Sequence, residues 1–232
     1  MTGPIRPNSA RGSCARSWPE AGAQFAACPP VDFIEHASEA DIAAWIAGRL
    51  TAALAIAPDI AITVPGGSTP FPIFDRLAAM ELPWSRVEVW PGDDRVVPED
   101  HPASNVGKIR ARLEPAGARV VALTPDARPP HFALAWLGMG LDGHIASLFP
   151  NTDPRADDPR PVRRLTPDPL PPEAPFDRLS MTIPALTDCD EALFVMRGAD
   201  KRALFAAAAA GQNDLPVARL LRALHHKVTC FC

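Results

Sequence analysis

The chain has 232 residues, a net charge of −4 with its Lys and Arg dispersed, and 47% apolar residues. That length can bury one large core or two small ones, the charge pattern excludes the concentrated basic footprint of a nucleic-acid binder, and no run approaches the roughly 18 to 20 apolar residues of a membrane span. Five cysteines without a C-x-x-C spacing read as free thiols in a reducing cytoplasm and exclude a disulfide scaffold.

Residues 1–26, rich in Pro, Ser, Gly and Arg and lacking an apolar segment before Glu20, read as a disordered extension and fail as a secretory signal. Residues 27–232 read as a single α/β domain. Ile42, Trp45, Ile46, Leu50 and Leu54 recur at helical spacing over Ser38–Ala57, with Ser38 and Asp41 placed as a capping box. Asp59–Val64 is then β-prone, and Pro65-Gly66-Gly67-Ser68-Thr69 leads into a helix from Pro70 to Met80. Strand, glycine pair, hydroxyl pair and helix start form a phosphate cradle, because the free N–H groups and dipole of a helix N-terminus favour an anion. The plainer reading is a turn in which Ser68 or Thr69 only caps the helix. The Lys of a nucleoside-triphosphate loop is missing.

Arg86–Trp90 reads as a strand whose end carries Asp93-Asp94-Arg95, either as solvated loop charges or as part of a site. Asn105–Leu113 reads as a helix, Arg119–Leu123 as a strand and His131–Leu137 as a buried strand. Gly138, Gly140 and Gly143 then deliver Asp142 and His144 where that strand ends and a short helix is expected to begin. Those glycines spell a dinucleotide fingerprint, but Pro150 stops any helix within two turns and no suitable acid follows among the prolines. The turn is therefore structural, with His144 capping or packing, or catalytic, with His144 as the group that titrates near neutrality and Asp142 beside it. In a parallel sheet the cradle, the Asp93 loop and the His144 turn all open on one edge.

Nine prolines between residues 150 and 176 leave no regular element there. Arg178–Ile183 alternates like a strand and Ala192–Met196 is apolar. Gly198 precedes a helix from Ala199 to Ala210, in whose first turn Lys201 opposes the macrodipole, a cost that an anionic ligand offsets. Leu215–Leu224 reads as the last helix, and Lys227–Phe231 as a closing strand at a divergent edge.

Three motifs, VPGGSTP at 64–70, DDR at 93–95 with SN at 104–105, and LGMGLDGHIASLFP at 137–150, together resemble the 6-phosphogluconolactonase family over roughly residues 30–230. Arg178 and Gly198–Lys201 resemble its later motifs. The chain departs from the family's Asp-Glu-Arg at Asp94, from its acid at Leu141, and at the Cys230-Phe231-Cys232 end. Hexosamine-6-phosphate deaminases share the cradle and the DGHIA turn but carry Asp-Glu-Tyr in place of Asp93-Asp94-Arg95 and an Asn-Glu-Pro sequence after the turn, where this chain has Ser147-Leu148-Phe149-Pro150. A non-catalytic sugar-phosphate-binding module of the same fold is the other alternative. The resemblance implies a Rossmann-like α/β fold, an open and mostly parallel sheet with helices on both faces. It implies hydrolysis of a sugar-phosphate δ-lactone without cofactor or metal, in the cytoplasm, by a monomer or weak homodimer with no nucleic-acid or membrane partner. His144 is the expected general base, oriented by Asp142 or Asp93. Arg95 or backbone N–H groups of the turns around Gly140 and Gly143 are the expected oxyanion stabilisers. Gly66, Gly67, Ser68, Thr69, Asn105, Arg178 and Lys201 are expected to hold the substrate and its phosphate.

Overall fold

The computed structural model describes residues 28–170, 172 and 174–232, so the extension expected over residues 1–26 lies outside the described residues. In chain order the elements are β1 (Val31–Ile34), α1 (Glu39–Ile56), β2 (Ile60–Val64), α2 (Pro70–Ala78), β3 (Val87–Pro91), β4 (Asp93–Arg95), α3 (Asn105–Leu113) and β5 (Arg119–Val120). There follow β6 (Leu134–Leu137), β7 (Val162–Leu165), β8 (Arg178–Met181), α4 (Ile183–Thr187), β9 (Glu191–Val195), α5 (Ala199–Ala209), α6 (Pro216–Ala223) and β10 (Lys227–Phe231).

Seven strands form one parallel sheet in the order β1-β10-β9-β6-β2-β3-β5. β2, β6 and β9 are buried along their whole length, which explains their near-continuous apolar sequences: helices cover both faces, so neither parity needs to be polar. Ile62, Val64, Leu134 and Trp136 face the layer made by α1, α2 and α3. Ala61, Ala135, Leu137 and Phe194 face α4, α5 and α6 on the other side. α1 starts on the expected capping box, with the Ser38 side chain accepting from the Asp41 backbone and the Asp41 carboxylate accepting from Ser38.

Four local expectations differ from the structure. Asp93–Arg95 is not a loop but a strand that pairs antiparallel with β8, which pairs with β7 in a second, three-stranded sheet. The proline-rich stretch does hold regular structure, because the proline-free run from Val162 to Thr166 supplies β7 and Val162 is buried. No helix follows His144; residues 138–149 instead fold into tight turns with bridges from Ile145 to Met139 and to Leu148. β10 is not an edge strand: it lies between β1 and β9, and Cys230 and Phe231 are buried. β1 itself is short and gave no periodic signal.

Candidate active site

A parallel sheet places all its carboxyl ends on one edge, and here that edge carries a cavity of about 480 Å3. That volume lies within the range of small-ligand sites. Its walls are the loops that leave β2, β3, β6 and β9, together with Arg178 of the small sheet. Gly66, Gly67, Ser68, Thr69, Asp93, Arg95, Asn105, Gly140, His144, Arg178 and Lys201 all line it. Asp142 and Gly143, also expected in the site, are not among the residues that line it. A larger hollow, about 570 Å3, opens at the opposite, amino-terminal ends of β2 and β3. Most of its charged groups have internal partners: Arg86 donates to carbonyls at the end of α1, Arg119 pairs with Glu88, and His131 bridges Asp188 and Asp190. The carboxyl-edge cavity is therefore the candidate site.

The cradle is shaped by what surrounds it. A Cβ on Gly66 would sit 2.1 Å from Asn105 Oδ1, and Gly67 has φ of 99°, so both positions require glycine for separate reasons. Pro70 occupies the first turn of α2 and the Thr69 hydroxyl makes no capping bond. The plain capping role for Thr69 is thereby set aside.

On the third loop, His144 Nδ1 lies 2.6 Å from Asp142 Oδ1, and the same oxygen accepts from the His144 backbone N–H at 3.2 Å. Partial burial alone would raise the Asp142 carboxyl, but the hydrogen bond and charge of His144 outweigh it and hold the carboxyl below its ordinary range. A carboxylate on Nδ1 fixes the tautomer with the proton there and leaves Nε2 as the basic nitrogen. The Phe149 ring lies across the imidazole, with centroids 4.7 Å apart. A Cβ on Gly140 would come within 2.2 Å of the ring, so glycine is needed for the histidine to fold back.

Asp93 does not orient the histidine. Its carboxylate accepts from the Ser147 hydroxyl, and Asn105 Nδ2 donates to its backbone oxygen at 3.0 Å. Asp94 turns inward and accepts from the backbone N–H groups of Arg95, Asn105 and Val106 at 2.7, 2.6 and 3.1 Å. Burial raises its carboxyl while those N–H groups oppose the rise. It builds the start of α3 and is not among the cavity-lining residues.

Arg95 and Arg178 are direct cross-strand partners. Arg178 is buried and donates to the carbonyls of Phe176 and Ala174, and both burial and the neighbouring Arg95 charge lower its pKa. Arg95 donates to Ala103 O at 2.7 Å, while its buried Nε has no partner among the described residues. The N–H groups of Gly140 and Gly143 bond to the carbonyls of His144 and Gly140, so neither is open to a ligand. Sequence reasoning missed Ser147, Phe149 and Ala174 in the lining. Ser147 and Phe149 lie in the stretch where the deaminase pattern differs; Ala174 carried no signal.

Comparison with known proteins agrees with this architecture. A family model described as glucosamine-6-phosphate isomerases/6-phosphogluconolactonase matches residues 35–125 and 114–230. A 6-phosphogluconolactonase of Caulobacter vibrioides is 34% identical over 213 residues, covering 80% of this chain and 88% of that protein. One of Pseudomonas aeruginosa is 36% identical over 206 residues, covering 78% and 86%. The crystal structure of a 6-phosphogluconolactonase from Shewanella baltica superposes with a TM-score of 0.75 at 23% identity, covering 89% of this chain and 99% of that one, which speaks for the fold. With the family model spanning nearly all of the sheet and the cavity at its carboxyl edge, the chain belongs to the glucosamine-6-phosphate isomerase and 6-phosphogluconolactonase family.

Proposed function

We propose that the protein hydrolyses 6-phospho-D-glucono-1,5-lactone to 6-phosphogluconate. The observation that carries this reading is a histidine with Nδ1 bound to a carboxylate, on the wall of a cavity that also holds a phosphate cradle and three cationic side chains. His144 Nε2 takes a proton from water as the oxygen attacks C1, a role worth about 10² to 10⁴ in rate. The negative charge that grows on the carbonyl oxygen meets the imidazolium so formed, which Asp142 stabilises. The tetrahedral intermediate then collapses, the bond from C1 to the ring oxygen breaks, and the imidazolium returns its proton to that oxygen as it becomes a hydroxyl. The carboxylic acid so formed releases its proton to solvent, and the resulting carboxylate product keeps its 6-phosphate.

The phosphate belongs to Ser68 and Thr69 at the start of α2, Lys201 in the first turn of α5, and the Arg95–Arg178 pair. Cross-strand partners have Cβ atoms about 5 Å apart, and the Arg95 charge bears on Arg178, a spacing that suits two cations sharing one anion. On this reading Arg95 serves the phosphate and not the oxyanion expected of it. Asn105 and Asp93 border the sugar. The reading includes a cytoplasmic monomer or weak homodimer acting on a small sugar phosphate. Incubation with freshly prepared lactone, without added metal or nucleotide, should release 6-phosphogluconate well above the spontaneous background; no acceleration overturns the assignment. Ammonia release from glucosamine 6-phosphate would favour the deaminase instead.

A further inference from the structure

We infer that Arg219, outside the cavity, is a positioning residue for His144: its guanidinium ties the segment that follows the His144 turn to the start of α6, which also holds the turn's leading end. The reaction it serves is the lactone hydrolysis proposed above, and the inference rests on that reading only where turnover is measured.

The turn has two ends. At the leading end Gly143, immediately before His144, accepts from the Val217 backbone N–H of α6 at 3.1 Å. Its φ is 78°, and a Cβ there would meet Leu215 Cδ1 at 2.8 Å, so the turn rests directly against the start of α6. At the trailing end Phe149, whose ring covers the imidazole, runs into a short helical turn from Pro150 to Thr152 and then to Asp153, which is left-handed with φ of 47°. Arg219 Nη1 donates to Asp153 Oδ1 at 2.6 Å and to Pro154 O at 3.0 Å. The other side of the same guanidinium, Nε and Nη2, donates to Asp214 Oδ2 at 3.1 and 2.8 Å, two residues before α6 begins. One planar fork thus joins the support of the leading end to the trailing end.

The consequence follows from how the imidazole is held. Asp142 fixes its edge and the tilted Phe149 ring lies against its face, and Phe149 leads directly into the Pro150–Pro154 segment that Arg219 anchors. Loosening Asp153 and Pro154 lets Phe149 withdraw and the imidazole tilt away from the attacking water. A displacement of about 1 Å can cost on the order of a hundredfold in rate. The phosphate seat, built on α2, α5 and the small sheet, is untouched, so binding is preserved.

The test compares wild type, Arg219→Met, Arg219→Lys and Asp153→Asn, the last removing the charge of the trailing contact while the Pro154 carbonyl, Asp214 and α6 stay in place. Turnover of 6-phosphogluconolactone, melting temperature and the NMR titration of the His144 ring are recorded for each. Expected is a fall in kcat of about tenfold for Arg219→Met and a smaller fall for Asp153→Asn, with KM changed less than about twofold. Arg219→Lys recovers part of the loss, since the charge remains while the two-sided fork is gone. The His144 titration should move in the same order. Wild-type kcat and an unmoved His144 titration in Asp153→Asn and in a folded Arg219→Met overturn the inference, as does a loss of activity that only tracks the unfolded fraction. If wild type itself leaves the lactone untouched, the functional reading fails and the His144 titration alone decides the clamp.

Discussion

At the scale of single residues, the proposed reaction depends on an imidazole whose Nδ1 is held by Asp142. His144→Ala should keep the fold and lower kcat by about 10² to 10⁴, measured on purified protein whose melting temperature stays within a few degrees of wild type. A variant with near-normal kcat would return His144 to the role of a packing residue. Arg95 was expected at the oxyanion, whereas the function proposed above gives it the phosphate. On that proposal Arg95→Lys, which keeps the charge and loses the planar fork, should raise KM about tenfold, a 1.4 kcal/mol contact, with kcat little changed. A collapse of kcat at constant KM would place Arg95 at the reacting carbonyl instead.

At the scale of elements, two polar anchors hold secondary structure at opposite edges of the sheet. Asp94 accepts three backbone N–H groups where β4 passes into α3. Asp94→Ala leaves those donors buried and unpaired and should cost about 1 to 3 kcal/mol, seen as a lower urea midpoint at unchanged m-value. His131 stands just before β6, with Nδ1 2.7 Å from Asp188 and Nε2 3.0 Å from Asp190, the segment that leads into β9. The hydrogen bonds from Asp188 and then Asp190 raise its pKa above the ordinary histidine value. The raised group contributes its full stability below the unfolded value of about 6.5 and loses it as pH rises through the folded value. Wild-type melting temperature should therefore decline across that window relative to His131→Gln. Parallel curves for the two proteins would remove the clasp from the stability of this edge.

For the molecule as a whole, the cavity is assembled from both sides of the sheet and from the small sheet beyond it. Lys201 comes with α5 after β9, while Ser68 and Thr69 come with α2 after β2, so the proposed phosphate seat draws on several elements. Lys201→Met should raise KM for the phosphorylated lactone with kcat close to wild type, because the phosphate contact is equal in ground and transition states. The same variant should treat the unphosphorylated lactone as wild type does. A selective loss on the unphosphorylated compound would take Lys201 away from the phosphate. No described helix is long and apolar enough to cross a membrane.

The sequence by itself determined the elements whose signals are local. The capping box at Ser38 and Asp41, the apolar runs of β2, β6 and β9, and the strand-to-helix cradle ending in Pro70 all follow from period, caps and turn chemistry within a few residues. The order of the three motifs also sufficed to gather them at one edge, since parallel strands share a carboxyl end. Tertiary structure decided what depends on partners distant in the chain. Asp93–Arg95 is a strand only because β8 pairs with it, Val162–Leu165 only because β8 has a second free edge, and β10 is internal only because β1 and β9 flank it. The choice of Asp142 over Asp93 as the histidine's partner, and the meeting of Arg95 with Arg178, belong to the same class. Each rests on a register or a side-chain direction that pairing imposes and that no local pattern encodes.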